Sequence, residues 1–271
     1  MGVAGGVAGG IAGRGRILVW EGVSLWVLQG EGELAQTDYH SHHALQVTLA
    51  LEGEFDLRTE AQHLPGPAVA VAPDVRHIFR ASGIMAFLFV EPESDAGRAL
   101  APGRTDPAMR ALPADAARPH MRALAERFLA GADDAALAEA GKAILAALAG
   151  QPRIAPPDPR VRAMIDFAAA NIEDAVSLPL AAGAAGLSPS RARHLFVEQT
   201  GLPFKTYVLW LRIQRAVELF AAGASLTEAA HEAGFADSAH LSRTFRRTFG
   251  LPAAALRINS RFVQAEARPA A

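Results

Sequence analysis

Two segments near the C-terminus repeat one arrangement of helix, turn and helix. "LAAGAAGLSPSRARHLFVEQTGLPF" occupies residues 180–204, and "LTEAAHEAGFADSAHLSRTFRRTFGLPAA" occupies residues 226–254. In each segment a short apolar helix is followed by a Gly-containing turn, a polar capping residue, an amphipathic helix and a Gly-Leu-Pro stop. Gly186 and Gly234 hold the same place 48 residues apart, as expected where a turn needs a positive φ. The pattern predicts two helix-turn-helix units in an all-α part of the chain.

The second helix of each unit has an apolar face and a basic face. In residues 238–249 the apolar face consists of Leu241, Phe245 and Phe249, at helical spacing. The outward-facing side chains are Ser190, Arg193 and His194 with Arg191 at the edge in the first unit, and His240, Arg243 and Arg247 flanked by Ala239 and Arg246 in the second. Solvated amphipathic helices would show the same faces, but two copies in the same frame favour contact with DNA, because Arg pairs with guanine or phosphate.

The spacing and charge of this part of the chain fit the same hypothesis. "FKTYVLWLRIQRAVELFAAG" predicts a long apolar helix between the two units. A helix of about 20 residues spans ~30 Å, close to the ~34 Å between successive major grooves on one side of DNA. Residues 160–271 hold 13 basic and 9 acidic residues, a net charge of +4, whereas residues 1–159 hold 13 and 19, a net charge of −6. A basic half joined to an acidic half predicts a polyanionic partner for the basic half.

Residues 160–258 resemble the DNA-binding domain of AraC/XylS-type bacterial transcription regulators. The matching text is "LSPSRARHLFVEQTG", "FKTYVLWLRIQRAVELF" and "EAGFADSAHLSRTFRRTFGLP". The resemblance implies seven helices and two helix-turn-helix units joined by a linker helix. It assigns base contacts to Ser190, Arg193, His194, Ser238, Ala239, His240, Ser242 and Arg243. We expect Arg246 and Arg247 to contact DNA phosphates, and Ala239, which offers no hydrogen bond, leaves the base preference open.

The acidic half begins with short β-rich segments. "RILVWEG", "LQVTLALEG" and "GIMAFLFVEP" are separated by Gly, Pro or polar breaks, which predicts an antiparallel barrel or sandwich. Two helices follow at about 119–150. "QPRIAPPDP" has four prolines in nine residues and predicts a semi-stiff spacer rather than a packed interface. The expected parts are a disordered tail at 1–15, a cupin-like sensor at 16–95, a helical dimerisation segment at 96–150, the linker at 151–159, the DNA-binding domain at 160–260 and a tail at 261–271.

Histidines in the strand region are spaced like metal ligands. His40, His42 and Gln46 form H-x-H-x₃-Q, and His77 follows after a further strand. The pattern resembles a cupin, a β-barrel in which H-x-H, a Glu and a later His bind one metal. Gln46 stands where that family has Glu, which breaks a four-ligand site. Three imidazoles are still suited to Zn, Fe or Mn, and a metal-free sensor pocket is the other, favoured interpretation. Trp26, Val47, Leu49 and Phe89 are candidates for the apolar wall of that pocket and equally for simple core.

The sequence therefore predicts an α+β multidomain chain. An N-terminal antiparallel β-barrel, cupin-like, with added helices precedes a C-terminal all-α domain with two helix-turn-helix motifs. The predicted function is sequence-specific regulation of transcription, with DNA binding modulated by a small ligand in the barrel and without enzymatic activity. The alternative is a cupin metalloenzyme, such as a dioxygenase or isomerase, with a helical accessory domain. A purely architectural DNA-binding protein would have no use for a barrel with converging histidines.

The amino-acid composition limits the chemistry and the location expected for the chain. The chain has no cysteine, so disulfides, thiol nucleophiles and Cys-ligated zinc are excluded. No apolar run is long enough to predict a membrane span. We expect a cytoplasmic bacterial protein without a required cofactor, although a divalent metal remains an alternative in the barrel. The expected partners are double-stranded DNA, a small-molecule effector, RNA polymerase and a second copy of the chain.

Overall fold

The computed structural model describes residues 13–34, 36–100, 107–149, 158–257 and 260–264. Its strands form one sheet, and all of them except the last come from the N-terminal part of the chain. They are β1 (Gly13–Trp20), β2 (Val23–Leu34), β3 (Leu45–Arg58), β4 (His63–Pro65), β5 (Ala68–Val71), β6 (Ile78–Val90), β7 (Met109–Ala111) and β8 (Ser260–Gln264). The order is β7-β5-β3-β6-β2-β1-β8, with β4 paired to β3. All pairs are antiparallel except β1 with β8.

Helices flank the sheet and make up most of the C-terminal part. Those in the N-terminal part are α1 (Asp95–Leu100), α2 (Arg118–Leu129) and α3 (Asp134–Ala149). Those in the C-terminal part are α4 (Pro159–Ala170), α5 (Leu178–Ala184), α6 (Pro189–Thr200), α7 (Phe204–Ala221), α8 (Leu226–Glu232), α9 (Ser238–Phe249) and a 3₁₀ helix, Ala253–Arg257. Residues 13–149 are called the N-terminal domain below, and residues 158–257 the C-terminal domain.

Both faces of the sheet are buried, because alternate residues of its long strands pack against different partners. Leu25, Val47 and Leu88 belong to a core that includes α2 and α3. Trp26 and Phe87 belong to a second core on the other face, and this core continues into the C-terminal domain. Alternation places Val47 and Leu49 in the helix-covered core, on the opposite face from Trp26 and Phe89. Of the two alternatives left open by the sequence, these two residues therefore fit simple core rather than a wall shared with Trp26.

The C-terminal domain contains the two predicted helix pairs. α5 and α6 are joined at Gly186, with φ of 65°, and α8 and α9 are joined at Gly234, with φ of 73°. These values lie in the left-handed region that favours glycine. α7 connects the pairs, and α4 completes the helical core around Phe196 and Tyr207. The described residues of the C-terminal domain thus contain six α-helices and a 3₁₀ helix, where the resemblance implied seven helices.

The two domains are packed together, so the predicted separation by a semi-stiff spacer is wrong. Trp210 of α7 and Phe249 of α9 share one apolar cluster with Trp26 of the sheet. Polar contacts add to it: Arg162 donates to Glu21 at 2.6 Å, and Gln214 donates to Glu91 at 3.1 Å. Residues 151–157, which make up most of the Pro-rich segment predicted to be the spacer, lie outside the described residues. The apolar surfaces of α7 and α9 hold the C-terminal domain against the sheet. The Pro-rich composition of the connecting segment gives no sign of this contact.

Three predicted boundaries also change. β1 begins at Gly13, within the expected N-terminal tail, and β7 lies within the segment expected to be helical. β8 occupies residues expected to be a C-terminal tail and pairs with β1. The rest of the predicted tails, residues 1–12 and 265–271, lies outside the described residues. No helix among the described residues has the length and apolar character needed to cross a membrane.

Candidate functional site

The predicted DNA-contacting helices begin at side-chain caps. Ser188 Oγ accepts a hydrogen bond from the backbone N–H of Arg191 at 3.3 Å. Asp237 Oδ1 accepts one from the backbone N–H of His240 at 2.6 Å. Such caps satisfy N–H groups that have no partner inside the helix and define where the helix starts. The caps therefore determine which side chains of α6 and α9 occupy the first exposed turn.

The predicted contact residues lie on the outer surfaces of these helices. The exposed members are Ser190, Arg191, Arg193, His194, Ala239, Arg243, Arg246 and Arg247, and the half-buried members are Ser238, His240 and Ser242. Leu241, Phe245 and Phe249 are buried on the opposite face of α9. The ring of His240 meets that of Phe235 edge-on at 5.2 Å, which restricts its orientation. The structure thus presents a basic and polar surface on each helix.

His40, His42 and His77 form a buried cluster, called the histidine cluster below. Their potential ligand atoms all lie within 4.8 Å of one another. Backbone pairing explains the proximity, because His40 and His77 donate N–H groups to each other's carbonyl oxygens, both at 2.9 Å. The rings of His40 and His77 are 4.2 Å apart between centroids, and those of His42 and His77 are 5.2 Å apart. The convergence expected from H-x-H and the later His is therefore present.

The three imidazoles share one hydrogen-bonding pattern. Nδ1 of His40 lies 2.8 Å from the carbonyl oxygen of Asp38, Nδ1 of His42 lies 3.0 Å from that of Ala44, and Nδ1 of His77 lies 2.8 Å from that of Val75. A carbonyl oxygen only accepts, so each Nδ1 carries the proton. In a neutral ring the lone pair is then on Nε2. Each ring therefore offers its Nε2 as an acceptor or a metal ligand.

Gln46 and Thr48, on the same face of β3, complete the cluster. Oε1 of Gln46 lies 2.9 Å from Nε2 of His42 and 3.3 Å from Nε2 of His77. Its amide nitrogen donates to Oγ1 of Thr48 at 2.9 Å. Gln46 is 3 % exposed and Thr48 is 0 % exposed. The predicted pocket residue Gln46 thus touches two of the histidines directly.

Burial favours the uncharged form of each histidine in the cluster. It lowers the pKa of His40 to about 4, with the nearby His42 adding to the effect. Burial also lowers the pKa of His42, and it lowers the pKa of His77 well below its usual value, with His40 and His42 contributing. An apolar environment disfavours the imidazolium, and two neighbouring imidazoles disfavour it further.

Aromatic side chains from both domains surround the cluster. The ring of His42 lies 5.2 Å from that of Phe89 and 6.3 Å from the rings of Trp210 and Phe249. Trp26 meets Phe249 at 5.1 Å. Trp26 was predicted as a pocket residue, but Trp210 and Phe249 were not, because they belong to the half that was expected to bind DNA. The apolar character of α7 on nearly all sides was the available signal, since such helices are buried on more than one face.

A second polar group lies at the same domain boundary. His43 Nε2 lies 3.3 Å from the carboxylate of Glu93, and Nδ1 lies 3.7 Å from that of Asp74, an ion-pair distance. Burial would lower the pKa of His43, but the two carboxylates outweigh it and raise the pKa to about 9. Glu93 also accepts a hydrogen bond from the hydroxyl of Tyr207, on α7. This interdomain contact had no signal in the sequence.

Residues 181–259 match the helix-turn-helix domain family. The apo structure of a single-substitution variant of ToxT from Vibrio cholerae is similar over 85% of this chain and 95% of that one, with 12% identity and a TM-score of 0.57. Wild-type ToxT from the same organism, with an unsaturated fatty acid bound, is similar over 87% and 94%, with 10% identity and a TM-score of 0.52. An AraC-type regulator from Chromobacterium violaceum is 28% identical over 36% of this chain and 89% of that one, with a TM-score of 0.36.

The C-terminal domain thus contains a helix-turn-helix domain, and the chain shares its fold with ToxT. The ToxT structures are alike in fold across most of the chain, including the sheet and the C-terminal helices. No curated protein matches the sequence.

Proposed function

We propose that the chain regulates transcription by binding double-stranded DNA through α6 and α9. The supporting observation is that each of the two capped helices exposes an arginine on its outer face, Arg193 five residues after the cap Ser188 and Arg243 six residues after the cap Asp237. Arg at such a position can make bidentate bonds with guanine in the major groove. Arg191, Arg246 and Arg247 lie beside these faces, where they can pair with phosphates.

We further propose that occupancy of the histidine cluster modulates DNA binding. Support comes from the position of the cluster, because Trp210 and Phe249 belong to the linker helix and the second candidate recognition helix. A ligand there would contact both domains, and it would favour whichever domain arrangement binds it better. Ligand-bound ToxT, which shares the fold, supports a small-molecule effector.

The test is selection of duplexes from a random library with the full chain, followed by anisotropy titration of the selected sequence. Specific binding should exceed binding to a scrambled duplex by at least about a thousandfold, the lower end for specific regulators. The double variant R193A/R243A should lose that preference, whereas R122A, an exposed arginine of α2, should retain it. Equal affinity of the wild type for both duplexes would rule out sequence-specific regulation.

A further inference from the structure

The last strand of the sheet joins the two domains through backbone pairing. β8 follows the C-terminal domain in the chain, yet it pairs in parallel with β1 of the N-terminal domain. The register runs from Gly15 opposite Ser260 to Val19 opposite Gln264. β8 also lies beside α7. Without β8, the outer edge of β1 would present a row of unpaired backbone N–H and C=O groups, so β8 occupies a place where a strand is expected to add.

The C-terminal domain is held near β1 by both of its ends. Close to its beginning, Arg162 of α4 donates to Glu21, in the turn that follows β1, at 2.6 Å. Beyond its end, β8 pairs with β1 itself. Between these attachments the C-terminal end of α9 is fixed, because the carbonyl oxygen of Gly250 accepts from the backbone N–H of Asp38 at 2.8 Å. A domain held at several points turns relative to the sheet only when some of them open.

We propose that β8 is a releasable tether, which keeps the C-terminal domain against the sheet and thereby restrains α9 from binding DNA. The effect on DNA rests on the proposed function, whereas the tether itself does not. β8 is suited to release because it has five residues and, of the described strands, pairs only with β1. Its partner strand lies 245 residues earlier, from Gly15 to Ser260, so no local turn holds the two together. Short elements with few contacts open at a low cost in free energy.

Two features of the tethered arrangement oppose DNA. Residues 1–159 have a net charge of −6, and the tether holds this acidic part of the chain beside α9, where it repels phosphates. Arg246, which we expect to contact a phosphate, is paired with Asp38 at 2.7 Å. Because Gly250 is ten residues before Ser260, release of β8 gives the end of α9 freedom to leave both. The released form should therefore bind DNA more tightly.

The register allows the tether to be locked by a disulfide, because the chain has no cysteine of its own. Paired residues of neighbouring strands lie about 5 Å apart, within the range of about 4.4–6.8 Å that a disulfide spans between Cα atoms. Val19 is half-buried and lies opposite Gln264, so V19C/Q264C should form one disulfide. The matched control is V19C/S260C, because the partner of Ser260 is four residues away along β1, about 13 Å from position 19.

The first experiment oxidises both variants of the full chain, counts the free thiols and measures the mass without reductant. V19C/Q264C should form an intrachain disulfide and V19C/S260C should not. If V19C/Q264C is not folded by circular dichroism, G15C/S260C at the other end of the ladder takes its place. Equal oxidation of matched and control variants, or none in either, would overturn the pairing of β8 with β1. A disulfide-linked dimer would overturn a tether within one chain, because β8 would then pair with β1 of a second copy.

The second experiment measures affinity for the duplex selected by the full chain, by anisotropy. Oxidation of V19C/Q264C should weaken binding at least about fivefold, the lower end for coupled sites, and a reductant should restore it. V19C/S260C should respond to neither treatment. F262P/V263P makes the opposite change, because loss of the N–H groups of two successive strand residues removes at least one bond to β1. It should bind at least about fivefold more tightly than A270P, which places a proline beyond β8.

The outcomes distinguish the tether, its effect on DNA and the proposed function. An intrachain disulfide that leaves DNA affinity unchanged, or raises it, would overturn the restraint of α9 while the pairing of β8 and the proposed function stand. An intrachain disulfide in a chain that selects no duplex would overturn the proposed function, and with it the effect on DNA, but not the tether. If F262P/V263P is not folded, the reversible oxidation decides, because it compares one protein in two states.

Discussion

The carboxylate of Asp38 lies 2.7 Å from Nε of Arg246, and this ion pair joins the N-terminal domain to a candidate recognition helix. Both side chains are more than half exposed, at 56 % and 63 %. Exposed ion pairs contribute only about 0–1 kcal/mol. In the proposed DNA complex Arg246 could therefore exchange Asp38 for a phosphate at little cost, so that Asp38 would act as a weak competitor of DNA.

Removing that competitor should strengthen DNA binding. D38A should raise affinity for selected and scrambled duplexes by similar factors, because a phosphate contact carries no sequence information. R247A should weaken both and lower the slope of log affinity against log salt by about one unit. Anisotropy titrations across a salt series measure both quantities. E126A, which removes an exposed carboxylate of α2, is the control for net charge, and an equal gain in that variant would show that Asp38 has no specific role.

Replacing the central exposed arginine of α9 should affect sequence discrimination. R243A should weaken binding to the selected duplex by about 1–3 kcal/mol and relax preference at one base pair. Its side chain is exposed while its helix neighbours Thr244 and Phe245 are buried, so the helix should remain folded. Competition titrations with singly substituted duplexes measure the preference. A uniform loss across all duplexes would assign Arg243 to phosphate instead.

Periodicity predicted what depends on local pattern and missed what depends on distant contacts. The buried face of α9, with Leu241, Phe245 and Phe249, follows from helical spacing. The pairing of Phe249 with Trp26 joins residues far apart in sequence and has no local signal. The Pro-rich segment suggested separate domains because its composition describes only the chain that connects them. It carries no information about the surfaces of the two domains that pack together. The spacing of His40, His42 and His77 did predict their convergence, since two lie on one extended segment.

The neighbours of some side chains could not be predicted from the sequence. Gln46 was taken to break a four-ligand metal site because it lacks the charge of Glu, and that interpretation stays a prediction. Its partner Thr48, two residues along the same strand face, orients its amide oxygen toward His42 and His77. That orientation depends on a hydrogen bond between side chains, which a motif cannot show. The sequence left Val47 and Leu49 open between pocket wall and core because the two faces of a strand that is buried on both sides look alike in sequence.

Removing the Tyr207 hydroxyl should loosen the domain boundary. Y207F deletes the hydrogen bond to Glu93, and a bond to a charged group contributes about 1.5–3 kcal/mol. The ring itself, which packs against Phe196 at 5.2 Å, is retained. Chemical unfolding of the full chain should show this loss of free energy. Y39F changes a tyrosine that is 40 % exposed and should be neutral, so equal stability of the two variants would mean that Glu93 does not hold Tyr207.

The shared apolar core predicts that the domains depend on each other for stability. Residues 158–271 alone would expose Trp210 and Phe249, and would leave β8 without its partner β1. Burial of a large apolar side chain contributes about 1.5–3 kcal/mol, so losing two such contacts should destabilise the truncated chain by roughly 3–6 kcal/mol. In calorimetry the full chain should therefore unfold in one transition, and the truncated chain should melt at least about 10 °C lower, given about 4–8 °C per kcal/mol for a domain of this size.

W210A in the full chain should shift the transition in the same direction, whereas L180A, at a leucine that is 57 % exposed, should not. If the full chain instead shows two separate transitions, and the truncated chain melts at the temperature of one of them, the two domains are independent in stability, as the Pro-rich segment suggested.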